Sequence, residues 1–315
     1  MALYIVKRIL RSLLSMFFII TIVFFLLRMM PIEGYFPGQY ERMSQTQLDN
    51  AIRKLGLDKS TPEQLLLFFR NLFLDGNMGI SQRYHYNVPV LDIIGRKAPI
   101  SLKFGLISLG LSLPLGFGLG ILMARKKGGV WDRIGTGYIV AMQAIPFAVF
   151  AILIQLYGTS LLRLPMLYDP DKPLSMVPPI IMLSIGGIAG NALWLRRYMV
   201  DESNKDYINL ARSKGVPNSA IFFRHVFRNS AVPMVQGIPG SILYAIVGSI
   251  YVESLCSIPG TGGLLVDAIK VQDNPLVQAL VIIYAVLGIF GLLLGDLLMA
   301  LVDPRIKLVK KEGSR

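Results

Sequence analysis

Six long apolar segments constrain the fold of this chain more than any other feature of its sequence. They cover residues 9–27, 99–123, 135–162, 178–195, 232–254 and 277–302. A helix of about 20 apolar residues is long enough to cross the hydrocarbon core of a bilayer. The chain is also 53% hydrophobic and only 16% charged, which is not the composition of a water-soluble domain. The sequence therefore predicts an all-α membrane protein with six transmembrane helices.

The uneven distribution of Lys and Arg predicts the orientation of these spans. One set of ends and connections holds Lys7, Arg8, Arg125, Lys126, Lys127, Arg133, Arg196, Arg197, Lys205, Arg212, Lys214, Arg224, Arg228, Arg305, Lys307, Lys310, Lys311 and Arg315. The opposite short connections hold Arg163, Lys172 and Lys270. Basic residues concentrate on the cytoplasmic side of membrane proteins, so both termini and the loop 196–231 are predicted to be cytoplasmic. The net charge of +13 then reflects topology and does not indicate a nucleic-acid partner.

The polar stretch 201–233 contains the end signals of a short helix. Asp206 is placed to cap its start, Gly215 to supply a left-handed residue after its end, and Pro217 to prevent continuation. A helix of about two turns is marginal in water. Its apolar residues lie on one face that needs a partner, and they are Tyr207, Leu210 and Ala211. The residues leave two partners open: a groove on another protein, or the lipid headgroups.

A second organised region follows the first apolar segment. Residues 31–97 are predicted to form an extracytoplasmic subdomain, either a docking platform or packing around the first helix. Within it, 65–73 is apolar but too short to span, which predicts a helix packed on the bundle. The run 88–94 is predicted to lie at the membrane interface.

The connection 252–275 is predicted to dip into the outer mouth of the bundle. A Pro-Gly turn at Pro259 and Gly260 follows Glu253 and precedes an amphipathic half-helix, 264–270. Irregular backbone at membrane depth is tolerated where it packs in protein or faces a wet cavity. Glu253, Pro259 and Gly260 are therefore candidate residues of an outer gate.

The predicted divisions of the chain follow from these regions. They are 1–30 for the N-terminus and first transmembrane helix, 31–97 for the outer subdomain, 98–306 for a core of five transmembrane helices, and 307–315 for the tail. The first apolar segment is too long for a signal peptide and is predicted to be a retained anchor.

Small residues and prolines predict how the spans pack. Glycines four apart allow close approach of helix backbones, and they occur at Gly116 and Gly120, Gly186 and Gly190, and Gly291 and Gly295. Prolines inside or at the start of spans are expected to kink or interrupt them, and they are Pro114, Pro146, Pro233 and Pro239.

No residue pattern indicates catalysis or a bound cofactor. His85 and His225 are predicted on opposite sides of the membrane, Cys256 is the single cysteine, and the glycines of 260–263 lack the Lys-Ser/Thr of a phosphate loop. The sequence therefore argues against an enzyme, including an intramembrane hydrolase, and no catalytic, cofactor or metal residue is assigned.

Several polar residues nevertheless lie inside the spans. Gln143, Gln155, Asn191 and Gln236 either line a translocation path or join helices by hydrogen bonds. Glu253 and Asp296 are ionisable groups near span ends, where a carboxylate either pairs with a nearby base or serves a function.

The stretch 201–233 resembles the cytoplasmic loop of binding-protein-dependent ABC importer permeases. Residues 209–215 read NLARSKG, and 225–229 read HVFRN with Pro233 following. Asn209 and Leu210 stand where the general loop has Glu and Ala. The sequence is instead similar to the peptide-importer branch, in which the loop has the form DYxxxARxKG.

Further stretches resemble the B-type permease of dipeptide and oligopeptide importers. They are GLD at 56–58 with GNMGIS at 76–81, VE at 252–253 with IPGTG at 258–262, and DPRI at 303–306. The region after Arg28 departs from that family, because 32–34 read IEG where Gly-Asp-Pro is common.

The resemblance implies a type I ABC importer permease fold, with six transmembrane helices and a helical extracytoplasmic insertion after the first. It implies a multi-pass protein of the bacterial cell membrane that moves di- or oligopeptides inward by alternating access. The implied partners are a second homologous permease, two cytoplasmic ATPases that hold ATP and Mg, and an extracellular peptide-binding protein. Alternatives are the same architecture carrying nickel, glutathione, a glycoside or another small solute, and an ATP-independent channel.

In that family the short loop helix lies in a groove of an ATPase. The resemblance therefore implies an ATPase-coupling role for Asp206, Tyr207, Asn209, Leu210, Ala211, Arg212, Lys214 and Gly215.

Overall fold

The computed structural model describes residues 2–29, 43–54 and 56–302 of the 315-residue chain. The start of the predicted outer subdomain at 31–42, and the tail with the DPRI stretch at 303–306, lie outside the described residues. Within the described residues the structure is helical, and the β-structure is limited to an isolated bridge between Ile80 and Pro89.

Fourteen α-helices are defined in the described residues. In chain order they are α1 (Ala2–Arg28), α2 (Gln45–Lys54), α3 (Thr61–Phe73), α4 (Val90–Arg125), α5 (Val130–Ala144), α6 (Phe147–Leu153), α7 (Thr159–Leu162), α8 (Val177–Ser203), α9 (Asp206–Ser213), α10 (Asn218–Ala220), α11 (Arg228–Val247), α12 (Ile250–Leu255), α13 (Thr261–Lys270) and α14 (Asn274–Val302). Wider π-helical turns join α6 to α7 and α10 to α11, and a 3₁₀ turn precedes α8.

The helices long and apolar enough to span a membrane agree with the predicted spans. Five lie at Ile5–Arg28, Val90–Arg125, Pro173–Ser203, Asn218–Leu255 and Asn274–Val302. The sixth arises only if Val130–Ala144 and Phe147–Leu162, bent by 104°, are taken as one broken span. The break follows from Pro146, which cannot donate a backbone hydrogen bond to a continuing helix. The all-α membrane fold is thus confirmed, and the interruption expected at Pro146 is found.

The beginning of α4 lies within 88–94, the run predicted at the membrane interface. α4 begins at Val90 and runs on into the span, and the position of its start at the interface stays a prediction. Its first turns are buried against α13 and the start of α14 in an apolar cluster. The cluster comprises Val90, Ile93, Ile94, Leu264, Ala268, Leu276, Ala279 and Leu280. Burial of this apolar face favours a helix over a loop at the surface.

Two of the three glycine pairs mark close helix contacts. A methyl group on Gly116 of α4 would lie 2.6 Å from Cβ of Asn191 on α8, and one on Gly291 of α14 would lie 2.8 Å from Cα of Gly240 on α11. Gly186 and Gly190 behave differently, since a methyl group there would meet no atom within 4 Å. The close approach predicted for that pair is therefore not made within the described chain.

The short helix predicted at 65–73 forms the second half of α3. The start of α3 is fixed by a capping box, in which the Ser60 and Glu63 side chains each form a hydrogen bond with the backbone of the other residue. Phe68 and Phe69 pack on Phe24 and Phe17 of α1, with ring centroids 5.2 Å apart in each pair. The outer segment is thus anchored to the first span by aromatic contacts.

Candidate functional site

The short helix α9 ends as its sequence predicts but begins differently. Gly215 has φ of +75°, and its N–H donates to the Arg212 carbonyl while that of Val216 donates to the Ala211 carbonyl. This pair of bonds is the Schellman arrangement that favours glycine. At the other end the cap position is Lys205, with no side-chain hydrogen bond to the helix. Asp206 is therefore the first residue of α9 and not its cap. At that first position its negative charge interacts favourably with the helix dipole.

The apolar face expected on α9 is divided between the bundle and solvent. Ile208 is fully buried with residues of α8 and of the π-helical turn, and Tyr207 and Ala211 pack against the same cluster. Leu210 is 56% exposed. The remaining predicted coupling residues are also exposed, and they are Asp206, Asn209, Arg212, Lys214 and Gly215. The surface that α9 offers to a partner is therefore a polar one around a single large apolar side chain.

A ring of hydrogen bonds joins α9 to the two long helices beside it. The Tyr207 hydroxyl donates to Oε1 of Glu202 on α8. Nδ2 of Asn229, on α11, donates to that same oxygen at 3.1 Å and to the Tyr207 hydroxyl at 2.8 Å. Lys205 pairs with Oε2 of Glu202 at 2.5 Å. Glu202 was not singled out from the sequence, and Asn229 was noted only as part of the 225–229 motif, because neither contributes to a periodic pattern.

A cleft of ≈ 200 Å³ opens between α4, α8 and α11 in the same half of the bundle as α9. Its lining is uncharged and mixes hydrogen-bonding with apolar side chains. It comprises Leu113, Asn191, Trp194, Tyr198, Pro233, Met234, Gly237, Ile238 and Ser241. Of the four residues predicted for a translocation path, Asn191 is the one that lines this cleft.

The other three predicted path residues lie elsewhere. Gln155 is 7% exposed, and its amide donates to the Leu255 carbonyl at 2.7 Å, joining the π-helical turn to α12. Gln236 donates at 2.8 Å to Asp296, which also pairs with Arg8. Gln143 is exposed near the end of α5. The pairing expected of Asp296 with a nearby base is thus confirmed, and Gln155 and Gln236 both join helices.

Glu253 lies at the centre of the predicted outer gate, in a fully partnered site. It is 2% exposed and accepts hydrogen bonds from the Ser101 hydroxyl at 2.7 Å and from the amides of Gly262 at 2.8 Å and Gly263 at 3.1 Å. The two amides belong to the first turn of α13, where a carboxylate is favoured. Gly260 is buried, and its lack of a side chain leaves room for the Glu253 carboxylate. Pro259 is exposed. The site therefore fixes α13 to α4.

Asp273 joins the outer loop to the start of α14 in a similar way. One carboxylate oxygen accepts the Ser81 hydroxyl at 2.5 Å and the amides of Gln82, Arg83 and Tyr84 at 2.9–3.1 Å. Burial raises the pKa of this carboxyl, but these hydrogen bonds outweigh the effect, and its pKa lies below the usual value. No pattern in the sequence marks Asp273 as part of a site.

The described residues contain no group of three or more His, Cys, Asp and Glu placed to hold a metal ion.

The protein-family comparison decides the assignment of the chain. The family described as "Binding-protein-dependent transport system inner membrane component" matches residues 116–308, and its N-terminal family matches residues 1–104. The chain belongs to this family of permeases. The resemblance found in the sequence is therefore confirmed.

Curated relatives of this permease carry the names of peptide transport components. It is 34% identical over 305 residues to the "Dipeptide transport system permease protein DppB" of Lactococcus lactis, covering 97% of this chain and 99% of that one. It is 30% identical to the "Oligopeptide transport system permease protein OppB" of Haemophilus influenzae, covering 96% and 99%. "Oligopeptide transport system permease protein AmiC" of Streptococcus pneumoniae is 38% identical over 212 residues, which are 66% of this permease and only 42% of AmiC.

Proposed function

We propose that this permease is one half of a channel in an ATP-driven importer that moves di- or oligopeptides into a bacterial cell. The other half is a second homologous permease, two cytoplasmic ATPases hold ATP and Mg, and an extracellular binding protein delivers the peptide. The termini and α9 lie in the cytoplasm, because the connections on that side hold most of the Lys and Arg of the short loops. This chain has no part in the chemistry of ATP hydrolysis.

The exposed face of α9 is the observation that carries the proposal. An eight-residue helix would not persist alone in water, yet α9 is held at the end of the bundle with Leu210 56% exposed. A large apolar side chain within a polar rim is typical of a protein contact. A groove on an ATPase that receives Leu210 would give ATP-driven motion a point of attachment.

The uncharged cleft supports a peptide as cargo. A peptide backbone repeats neutral donors and acceptors, whereas its side chains vary in charge and size. Asn191, Tyr198 and Ser241 offer neutral hydrogen-bonding groups, and Met234 is a flexible apolar side chain. No charged residue in the lining discriminates between acidic and basic peptides. A wall of this kind suits recognition of the backbone with tolerance for side chains.

Glutathione is the second candidate cargo, because one relative is named as a glutathione transport component. The "Glutathione transport system permease protein GsiC" of Pectobacterium atrosepticum is 29% identical over 308 residues, covering 96% of this chain. Glutathione is itself a modified tripeptide, so the same cleft and the same coupling helix would serve. Competition between glutathione and an alanine tripeptide for uptake distinguishes the two cargoes.

Co-purification from native membranes tests the proposal. The tagged permease, extracted in mild detergent, is expected to bring down a second permease and two ATPases. Reconstituted with the binding protein in liposomes, this complex should accumulate a radiolabelled alanine tripeptide only with ATP inside. Uptake without ATP would instead indicate a channel, and a tagged chain that purifies alone would contradict the proposal.

A matched pair of substitutions tests the α9 contact itself. Leu210→Asp places a charge at the centre of the proposed contact and is expected to remove the ATPases from the purified complex while the two permeases stay together. Ser219→Asp adds the same charge at an exposed position of α10 and should leave the ATPases bound. Equal recovery of ATPases with both variants would exclude α9 as their binding site.

A further inference from the structure

The ring formed by Glu202, Tyr207 and Asn229 closes on itself. Tyr207 donates its one hydroxyl hydrogen to Glu202, and Nδ2 of Asn229 donates both to the same Glu202 oxygen and to the Tyr207 hydroxyl. Glu202 is 7% exposed. Two of the three bonds in the ring lead to the Glu202 carboxylate, which makes them stronger than bonds between neutral groups.

The apolar contacts of α9 do not by themselves fix its orientation. Ile208 is the fully buried residue of α9, packed with Leu195 and Met199 of α8 and with Ile221 and Val226 of the π-helical turn. Such contacts are non-directional and set the depth of α9 more than its angle. Hydrogen bonds require specific directions. The ring therefore adds the constraint that the apolar cluster lacks.

The ring also connects α9 to the walls of the cleft. Glu202 is in the last turn of α8, the helix that contributes Asn191, Trp194 and Tyr198 to the lining. Asn229 is the second residue of α11, which contributes residues from Pro233 to Ser241. A single ring thus joins the proposed ATPase contact to two of the three helices that line the cleft.

We infer that the Glu202–Tyr207–Asn229 ring is the positioning element that makes α9, α8 and α11 move as one body. This inference rests on the proposed function. When the ATPases displace α9, the ring transmits the displacement to α8 and α11, so that the cleft changes shape. Without the ring, α9 pivots about Ile208 and part of the motion is lost. ATP is then consumed with less peptide moved.

The ratio of peptide imported to ATP hydrolysed tests the inference in the reconstituted complete transporter. Tyr207→Phe removes only the hydroxyl and keeps the ring that packs against the apolar cluster. Asn229→Leu removes the amide with little change in size. Each variant is expected to lower the ratio for a radiolabelled alanine tripeptide by about threefold to tenfold, the range expected from losing one or two hydrogen bonds.

Two further variants separate positioning from folding. Ser203→Ala deletes a hydroxyl next to Glu202 that bonds only to the Val200 carbonyl within α8, and it should keep the ratio of the unmodified transporter. Glu202→Gln retains an oxygen that accepts both ring bonds but weakens them and removes the ion pair with Lys205, so its ratio should lie between those of the unmodified transporter and Tyr207→Phe. Glu202→Ala should lose as much as Tyr207→Phe. A role in folding alone would lower the yield of complex and leave the ratio unchanged.

The double variant tests whether the three residues act as a unit. If they do, Tyr207→Phe with Asn229→Leu lowers the ratio no further than the worse single variant, because either change opens the ring. Multiplying effects, an unchanged ratio in both single variants, or failure of every ring variant to assemble would each overturn the inference. If the unmodified transporter itself shows no ATP-dependent uptake, the proposed function fails instead.

Discussion

The hydroxyl of Ser81 donates a 2.5 Å hydrogen bond to Asp273, although the two residues are 192 positions apart. This contact ties the segment that precedes α4 to the segment that precedes α14. Asp273 is 0% exposed, and its carboxylate replaces water for three backbone amides of the outer loop. Asp273 therefore holds the backbone of residues 82–84 against the start of α14.

Replacing Asp273 by Asn should loosen this loop. The neutral amide retains the shape but accepts the same hydrogen bonds more weakly, at an expected cost of about 1–3 kcal/mol in the opening of the loop. Hydrogen exchange of the amides of Gln82, Arg83 and Tyr84 should become faster by the corresponding factor. Asp267→Asn, at an exposed position of α13, is the control. Similar exchange at these amides in both variants would argue against the role of Asp273.

The pH dependence of this loop follows from the lowered pKa of Asp273. A carboxyl whose pKa is lower in the folded state contributes stability above its unfolded value of about 3.9, and this stability is lost as the pH falls through the folded pKa. The difference in protection between the unmodified chain and Asp273→Asn should therefore be constant from pH 7 to pH 5. It should shrink only below about pH 4. A difference that disappears near pH 6 would contradict this assignment.

Ser101 should contribute to stability through the buried hydrogen bonds around Glu253. Its hydroxyl donates to Glu253 and accepts the Thr261 amide at 2.8 Å. Ser101→Ala leaves that buried amide without its acceptor and is expected to destabilise the purified protein by about 1–3 kcal/mol. Ser112→Ala removes a buried hydroxyl of the same helix that bonds at 3.3 Å to the Leu109 carbonyl. Thermal unfolding in detergent should separate the two variants, and equal midpoints would contradict the prediction.

The features that the sequence predicted correctly depend on local pattern. The length of the apolar segments predicted the spans, and the order Arg212, Lys214, Gly215 predicted the end of α9. Both predictions work because a helix and its cap are determined by neighbouring residues. The interruption at Pro146 was expected for the same reason. Its 104° angle was not, since the direction of the chain after a break depends on what it packs against.

The features that the sequence did not predict depend on contacts between distant residues. Glu202 and Asn229 are 27 positions apart, and Ser101 and Glu253 are 152 apart. The sequence marks Glu253 as a candidate gate residue and Asn229 as part of a motif, but it does not indicate the partner of either residue. The division of the α9 face has a related origin, because Tyr207 bonds to Asn229, 22 positions away, as well as to the nearby Glu202. Periodicity identifies an amphipathic helix but not which partner covers each residue.

Gly215 should be required for coupling between ATP hydrolysis and transport. Its φ of +75° strains a β-branched residue, so Gly215→Val should disturb the end of α9. Peptide uptake per ATP is expected to fall about fivefold or more, while insertion and pairing with the second permease persist. Gly128→Val is the matched control, because Gly128 also has positive φ, of +78°, and open space around it, but lies between α4 and α5. An equal loss with both variants would indicate general strain rather than coupling.

Gly237 should limit the size of the peptide that passes the cleft. It lines the cleft on α11, and a methyl group on it would meet no atom within 4 Å. The Cβ of Gly237→Leu therefore fits without displacing neighbours, and the rest of the side chain reduces the space left for cargo. Uptake of a phenylalanine tripeptide should fall more than uptake of an alanine dipeptide, by about tenfold if the lost space costs the peptide about 1.4 kcal/mol of binding.

The matched control for this substitution is Gly110→Leu. Gly110 is an exposed residue of α4 with the same open space, but it does not line the cleft. Size selectivity should change with Gly237→Leu alone, because only that side chain enters the cleft. If Gly237→Leu instead separates the two permeases during purification, the cleft is a surface that packs against the second permease. If both peptides are imported as before, the cargo passes along another wall of the channel.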